Sequence, residues 1–386
     1  MRLAVVGGGL QGIEAAYLAQ KAGWEVCLID RRSDALAGGL CDRFVQCDVA
    51  RSKDLDRHMT GIDLVLPAFE NEMALQSLSA WCRRSGIPLV FDEAAYAVSS
   101  SKVESNRLFE RLQLPMPPVW PNCSPPLVAK PASGSGSRGV RLFGDVDRLQ
   151  GCFPGENPPD GWVLQQYVPG PIYSLEVIGF NDSYRALHVT DLAMDASFDC
   201  KRVAAPSRLP PGLVRHFERM ALRIAQEIHL KGIMDIEAVC SGGTLKILEI
   251  DARLPSQTPM TVCGASGLNM VELLGRLFTD RCNVIPRPPP ATRGTIIEHV
   301  RFRDGLLEIG GEHLMTSGGP LHLETDFFGA DEAITNCAAG KSSWVATLIV
   351  TAAGRSEAWR KRNRVIENLM TRWPVEQYLD PEPVSF

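Results

Sequence analysis

Four acidic residues in the segment 232–253 have the side chains and the spacing of a metal site. Two apolar runs in this segment flank a Ser-Gly-Gly turn sequence, and this pattern predicts a β-hairpin. A hairpin centred on that turn pairs Glu237 with Glu249 and Asp235 with Asp251. Because side chains alternate between the two faces of a strand, all four carboxylates then lie on one face.

Carboxylates packed this closely need cations or protons as partners. Two of them at about 4 Å repel by roughly 4 kcal/mol at an effective dielectric constant near 20. Arg253 follows on the same face but cannot neutralise four acids, whereas Mg²⁺ prefers oxygen ligands and commonly also holds substrate phosphates. The segment therefore predicts a magnesium-nucleotide site. The alternative is an edge hairpin whose polar face is solvated.

Composition narrows the class of protein. A chain of 386 residues suits two or three domains, and a formal charge of -5 without a long Lys/Arg run gives no support for a nucleic-acid partner. The eleven cysteines form no Cys-x-x-Cys pair, which indicates neither a zinc site nor a disulfide framework and favours reduced thiols in a cytoplasm. No apolar stretch approaches the roughly 18 residues that span a bilayer, so a transmembrane protein is excluded.

The N-terminus carries a glycine pattern typical of dinucleotide binding. Residues 7–12 contain Gly-x-Gly-x-x-Gly between a strand and a helix, and Asp30 ends the next strand. Alone this predicts an NAD enzyme, although the glycines serve equally for close packing of helix on strand.

Glu70 follows a third strand at its carboxyl end, where open α/β sheets bind ligands; a solvated acidic loop is the alternative.

A second pattern suited to phosphates surrounds Lys130. This residue lies near the end of the predicted strand 126–131, and the loop 132–139 that follows is rich in Gly and Ser. Backbone N–H groups of such a loop can fold over phosphate oxygens while the Lys supplies a point charge. The Lys precedes the glycines, so this is not a Walker A motif. We expect the loop to close as a lid; a plain surface loop is the alternative.

Near the C-terminus, a basic helix at 356–372 is expected to be a solvated face.

These signals, taken in order along the chain, resemble the ATP-grasp ligase superfamily. The resemblance implies an α/β, ATP-grasp fold. It divides the chain into an N-terminal Rossmann-like parallel-sheet domain (1–95), a central ATP-grasp domain (96–285, with a lid subdomain at about 125–180) and a smaller α+β C-terminal domain (286–386). It also implies the use of ATP and of two Mg²⁺ ions.

The resemblance assigns roles residue by residue. Catalytic roles fall to Lys130 and Arg253, with Arg253 on the transferred phosphate. Magnesium is expected on Glu237, Glu249 and Asp251, although many members have Asn where Asp251 stands. The residues expected to bind ATP are Lys102, Lys130, Ser135, Gly136, Ser137, Gln165, Gln166, Tyr167, Val168 and Asp30.

Segments 6–18, 174–177, 231–238 and 248–259 resemble more closely the ATP-grasp ligases of pyrrolysine biosynthesis, which join 3-methyl-D-ornithine to the ε-amine of L-lysine. This implies both amino acids as substrates, with D-ornithine as an analogue. Open alternatives are another carboxylate-amine ligase, a carboxyaminoimidazole ribonucleotide synthase, an NAD-dependent amino-acid oxidoreductase and a regulatory nucleotide-binding protein. The implied substrate residues are Gln11, Gly12 and Glu70 for lysine, and Ser174, Glu176, Asp235, Arg253, Ser256 and Thr258 for the ornithine moiety.

Overall fold

The computed structural model describes residues 1–51, 55–134, 136–153, 159–279 and 281–383. None of the helices in these ranges is long and apolar enough to cross a membrane. The helices are α1 (Leu10–Lys21), α2 (Leu55–His58), α3 (Glu72–Ser85), α4 (Glu93–Ser99), α5 (Lys102–Arg111), α6 (Val146–Cys152), α7 (Pro211–Glu227), α8 (Thr258–Ser266), α9 (Met270–Phe278) and α10 (Arg355–Arg372). The strands are β1 (Arg2–Val6), β2 (Glu25–Asp30), β3 (Arg43–Gln46), β4 (Leu64–Pro67), β5 (Leu127–Pro131), β6 (Arg141–Phe143), β7 (Trp162–Gln166), β8 (Ile172–Phe180), β9 (Ser183–Met194), β10 (Cys200–Ala205), β11 (Gly232–Ser241), β12 (Thr244–Asp251), β13 (Gly294–Arg303), β14 (Leu306–Ile309), β15 (His322–Thr325), β16 (Glu332–Thr335), β17 (Ser343–Ala352) and β18 (Gln377–Leu379).

The N-terminal residues form a parallel sheet in the order β3-β2-β1-β4, which confirms the predicted Rossmann-like unit. Beside β4, the chain at 88–91 adds one parallel bridge, between Val65 and Leu89. The chain cannot extend this ladder because Asp92 caps α4 directly afterwards, accepting hydrogen bonds from two N–H groups of that helix.

The glycines of the N-terminal turn are explained by close packing. Gly7 has a φ of +99°, and a Cβ there would lie 2.6 Å from the carbonyl oxygen of Ala68. A Cβ on Gly12 would lie 2.2 Å from the carbonyl oxygen of Gly7. The turn therefore lets α1 approach the ends of β1 and β4, as the packing alternative requires.

A small antiparallel sheet, β6-β5-β7, is separate from a much larger sheet. The main path of the large sheet runs β12-β11-β8-β9-β10-β13-β17-β16-β15, so the predicted acidic hairpin lies at its edge. Helix α7 covers one face of the hairpin with the buried side chains of Phe217, Met220 and Ile224. The acidic side chains alternate with these core contacts and therefore point to the opposite face.

The C-terminal strands continue the large sheet, because β10 pairs with β13. Hydrogen bonds thus cross the predicted boundary at residue 286, and the division into domains stays a prediction.

The expectation of a solvated face on α10 is wrong for one side of that helix. Val365, Ile366 and Leu369 are buried, and so is the guanidinium of Arg362. The helix packs on β13 and β17, because its apolar residues recur at helical spacing beneath a basic surface.

Arg362 enters a buried ion network at the centre of the large sheet. Its Nε lies 2.8 Å from Oε1 of Glu298, whose side chain is wholly buried. Arg202 contacts the same carboxylate and also donates to Asp380, with 2.7 Å between Nη2 and Oδ2. Lys201 donates to Asp380 at 2.7 Å. The network joins β10, β13, α10 and the segment after β18.

Glu298→Gln should lower the free energy of unfolding by about 3–5 kcal/mol, because two buried guanidinium groups lose their shared carboxylate. Urea unfolding measures the effect. Glu367→Gln, the same change at an exposed position of α10, is the control and should leave the urea midpoint unchanged. Equal midpoints for the two variants would show that the network does not stabilise the fold.

Candidate active site

The hairpin of β11 and β12 pairs its acids as predicted. Asp235 lies opposite Asp251, and Glu237 lies opposite Glu249. The turn is made by two residues, Gly242 and Gly243, which both have positive φ.

A β-bulge makes this pairing possible. Ala238 pairs with Ile247 but Glu237 pairs with Glu249, so Leu248 is an extra residue in β12. Without it, a two-residue turn would pair Glu237 with Leu248 and direct the acids of β12 toward α7. The bulge therefore brings the acids of both strands to one face.

Strand β8 adds two more polar residues beside β11. Glu176 pairs with Asp235, and Ser174 pairs with Glu237. The Ser174 hydroxyl donates to Asp235 and lies 3.4 Å from Oε1 of Glu176. Both residues of β8 are wholly buried, so they form the floor of the acidic face.

The electrostatics of this face differ from one acid to the next. Burial raises the pKa of Asp251 to about 7 and that of Asp235 to about 6. Burial followed by the charge of Glu249 raises the pKa of Glu237 well above its ordinary value. Burial followed by the charge of Asp235 raises the pKa of Glu176 to about 8. The folded protein thus resists charging most of these carboxylates unless cations join them.

Glu249 is the exception, because two lysines face it. Burial alone would raise its pKa, but Lys130 and Lys102 hold it below its ordinary value. Lys102 Nζ lies 3.7 Å from Oε2 of Glu249. Burial lowers the pKa of Lys130, against the opposing charge of Glu249. Both predicted lysines therefore reach the acidic face, one from β5 and one from the start of α5.

Arg253 connects the acids to the N-terminal sheet. Its Nη2 donates to Oδ2 of Asp251 at 2.9 Å, and its Nε lies 2.7 Å from Oε1 of Glu70. Gln11 Nε2 donates to the same Glu70 oxygen at 3.0 Å. One predicted lysine-binding residue, Glu70, thus contacts the predicted catalytic arginine, and a second, Gln11, contacts Glu70.

The donor set fits Mg²⁺. Glu237, Glu249 and Asp251 supply hard carboxylate oxygens on adjacent strand positions, and the raised pKa values of two of them reflect a shortage of positive charge that a divalent ion would relieve.

A cavity of about 240 Å³ lies between the small sheet and the acidic face. Among the described residues, its walls contain every predicted ATP-binding residue except Asp30, together with all four hairpin acids, Arg253, Ser256 and Thr258. Ser135, another predicted ATP-binding residue, lies outside the described residues.

The loop after β5 is held over this cavity. The Ser137 hydroxyl donates to the carbonyl oxygen of Phe198 at 2.5 Å, and Lys102 Nζ donates to the carbonyl oxygen of Gly134 at 2.7 Å. The Phe198 ring stands edge-on to that of Tyr167, with 6.2 Å between the ring centroids. The contact of Ser137 ties the loop to the turn between β9 and β10, and the contact of Gly134 ties it to the start of α5.

Two predicted site residues lie elsewhere. Asp30 accepts hydrogen bonds from the N–H groups of Gly8 (2.6 Å) and Arg32 (2.7 Å), so it braces the glycine turn and does not line the cavity. Gly12, in the first turn of α1, packs against Gly7. Both serve the N-terminal sheet in this structure.

Two further acids reach the site without any signal in the sequence. Glu312 lines the cavity and accepts hydrogen bonds from the Ser256 hydroxyl and from Gln257 Nε2, the latter at 3.4 Å. Glu14, buried on α1, accepts from the N–H groups of Gln257 at 3.0 Å and Met260 at 2.5 Å. Burial raises the pKa of Glu14 to about 8. These two acids position residues 256–258, which lead directly into α8.

Two protein-family models match parts of the chain. Residues 99–257 match the ATP-grasp domain, and residues 5–72 match an NAD(P)-binding Rossmann-like domain.

The chain is similar to two curated proteins called 3-methyl-D-ornithine--L-lysine ligase. It is 36% identical to the protein of Methanosarcina barkeri over 318 residues, which cover 82% of this chain and 84% of the relative. It is 32% identical to the protein of Methanosarcina mazei over 373 residues, 96% of each.

Among solved structures, the fold resembles the biotin carboxylase domain of Hydrogenobacter thermophilus 2-oxoglutarate carboxylase, solved with MgADP and bicarbonate. The TM-score is 0.73 at 16% identity, and the match covers 95% of this chain and 89% of that chain.

Asp251 should make the metal-free protein less stable as the pH rises. Below its ordinary pKa of 3.8 the side chain is neutral in both folded and unfolded states, whereas above its folded pKa of about 7 only the folded state bears the cost of a buried charge. Asp251→Asn removes that cost. Its stability advantage over the natural protein should therefore increase between pH 4 and pH 7, by up to about 4 kcal/mol.

Urea unfolding in EDTA across this pH range measures the difference. Asp147→Asn, at an exposed position of α6, is the control and should show no such trend. A difference between Asp251→Asn and the natural protein that stays constant with pH would contradict the assignment. Added Mg²⁺ should stabilise the natural protein more than the variant.

Proposed function

Because the chain belongs to the family of 3-methyl-D-ornithine--L-lysine ligases, which are ATP-grasp enzymes, we propose that it joins 3-methyl-D-ornithine to the ε-amine of L-lysine in pyrrolysine biosynthesis. ATP is converted to ADP and phosphate, and the reaction is expected in the cytoplasm. The observation that carries the proposal is the convergence of the hairpin acids, Lys102, Lys130 and Arg253 on one cavity.

The first step activates a carboxylate. A carboxylate oxygen is a poor leaving group, so the ornithine carboxylate attacks the γ-phosphorus of ATP, forms an acyl phosphate and displaces ADP. Lys130 and Arg253 stabilise the negative charge on the transferred phosphoryl oxygens. Ions held by Glu237, Glu249 and Asp251, two in our proposal, would add Lewis-acid stabilisation of the same oxygens.

We assign the ornithine moiety to two acids of the acidic face. It carries two ammonium groups, and the carboxylates of Asp235 and Glu176 are adjacent on β11 and β8. Ser256, which precedes α8, and Thr258, its first residue, line the cavity together with Asp235. We propose that these residues hold the ammonium groups while the substrate carboxylate faces Arg253.

The second step forms the amide. The ε-nitrogen of lysine attacks the acyl carbon, the bond from that carbon to the phosphate oxygen breaks, and phosphate leaves. The amine has an ordinary pKa near 10.4, so it must first lose a proton. Glu70 is already engaged by Arg253 and Gln11, and we assign it to positioning rather than to proton removal.

The alternatives have less support. Another carboxylate-amine ligase or a carboxyaminoimidazole ribonucleotide synthase would share the ATP chemistry, but the relatives at 32–36% identity carry the lysine ligase name. An NAD-dependent oxidoreductase would leave Lys130 and the four hairpin acids without a role.

Purified protein with Mg-ATP, D-ornithine and L-lysine should release ADP only when both amino acids are present. Mass spectrometry should find a product with an isopeptide bond at the lysine ε-nitrogen. Glu237→Gln should abolish turnover, because a metal ligand is lost, while its far-UV circular dichroism stays unchanged. ADP release that requires neither amino acid, or full activity of the variant, would count against the proposal.

Ser137→Ala should loosen the loop over the cavity and expose the acyl phosphate to water. Loss of one hydrogen bond is expected to raise the ADP released per molecule of isopeptide product by about 2- to 5-fold. Parallel assays of ADP and product measure this ratio. Ser124→Ala, at an exposed position, is the control. An unchanged ratio in Ser137→Ala would mean that the contact with Phe198 does not keep the loop closed.

A further inference from the structure

A second cavity, of about 830 Å³, adjoins the nucleotide cavity. Lys102, Glu249 and Asp251 belong to the walls of both cavities. A molecule bound in the second cavity would therefore lie beside the acids that are expected to hold the metal and the reacting phosphate.

The charge of the second cavity favours a cation. Its walls carry five carboxylates and one ammonium group. Two arginines pair with three of these acids from outside the cavity, which leaves an excess of two negative charges over the three cations. The acids are Glu70, Glu72, Glu93, Glu249 and Asp251, and the cations are Lys102 together with Arg253 and Arg83.

An aromatic pair forms another part of the wall. The rings of Phe91 and Tyr96 lie with their centroids 5.2 Å apart at an angle of 55°. Burial and then the charge of Glu70, which lines the same cavity, raise the pKa of Tyr96 to about 12. Aromatic faces attract ammonium groups, most strongly where water is partly excluded.

We propose that this cavity binds the amine substrate, a diamino acid such as L-lysine, with an ammonium group against the aromatic pair of Phe91 and Tyr96. The inference rests on the proposed function and adds specificity-determining residues to it. Glu72 contributes to the negative charge, and its carboxylate accepts only from Gln76 among the hydrogen bonds of the described residues.

The position of the cavity is compatible with the bond that must form. The ε-nitrogen bonds to the acyl carbon and the bond from that carbon to the phosphate oxygen breaks. The ε-ammonium loses two protons in all, one to water in the open cavity and one to the departing phosphate. No oxidant or further reactant is needed.

Calorimetric titration of L-lysine into the protein with Mg²⁺ and a non-hydrolysable ATP analogue tests the proposal. Tyr96→Leu should raise the Kd for lysine by about 5- to 30-fold, because the ring face is lost. Tyr96→Phe retains the ring and should restore binding close to that of the natural protein. Glu110→Gln, at an exposed position of α5, is the control. Equal Kd values for all four proteins, or no lysine binding by the natural protein, would overturn the proposal.

A second experiment, with hydroxylamine, distinguishes a failure of the cavity assignment from a failure of the proposed function. It is small and uncharged at neutral pH, and it traps an acyl phosphate as a hydroxamate without lysine. If D-ornithine, Mg-ATP and hydroxylamine give no hydroxamate with the natural protein, the proposed function fails. The calorimetric titration then still tests whether the cavity binds lysine. If the hydroxamate forms but Tyr96→Leu leaves the KM for lysine unchanged, the cavity assignment alone fails.

Discussion

Repulsion among carboxylates that share one buried face dominates the chemistry of this protein. Asp235, Glu237 and Asp251 all have raised pKa values, because burial and neighbouring charges disfavour their ionised forms. Lys102 and Lys130 outweigh burial at Glu249, whose pKa is lowered. Positive charge must come from elsewhere for the remaining acids to ionise, and divalent ions that accompany a nucleotide provide it. The surrounding strands and helices hold these charged side chains close to one another.

Arg253, which follows the hairpin, links the hairpin acids to the N-terminal sheet. It pairs with Asp251 on the edge of the large sheet and with Glu70 beyond β4 of the N-terminal sheet. The contact makes the N-terminal sheet part of the site, although its glycine turn is accounted for by packing alone. It also lies where the two cavities approach each other, so the same ion pair can align an acyl phosphate in one cavity with an amine in the other.

The C-terminal strands contribute both support and a polar group. The pairing of β10 with β13 joins strands from both sides of the predicted domain boundary at residue 286 into one sheet. The buried network around Glu298 links that junction to α10. The same region brings Glu312 into the cavity, where it contacts Ser256. A role for residues after 290 in holding the site thus follows from sheet continuity.

The sequence by itself determined the acidic hairpin, the two lysines, the N-terminal parallel sheet and the likeness to ATP-grasp ligases, because these depend on local alternation, turn residues and motif order. The correct pairing of Glu237 with Glu249 nevertheless depends on the bulge at Leu248, for which the sequence has no mark. Only the tertiary structure decided that Glu14 and Glu312 support residues 256–258, that Asp30 braces the glycine turn, and that Tyr96 lines a second cavity. Each of these contacts joins residues that are distant in the chain or commonplace in type, and such contacts are set by the packing of whole elements rather than by any local pattern.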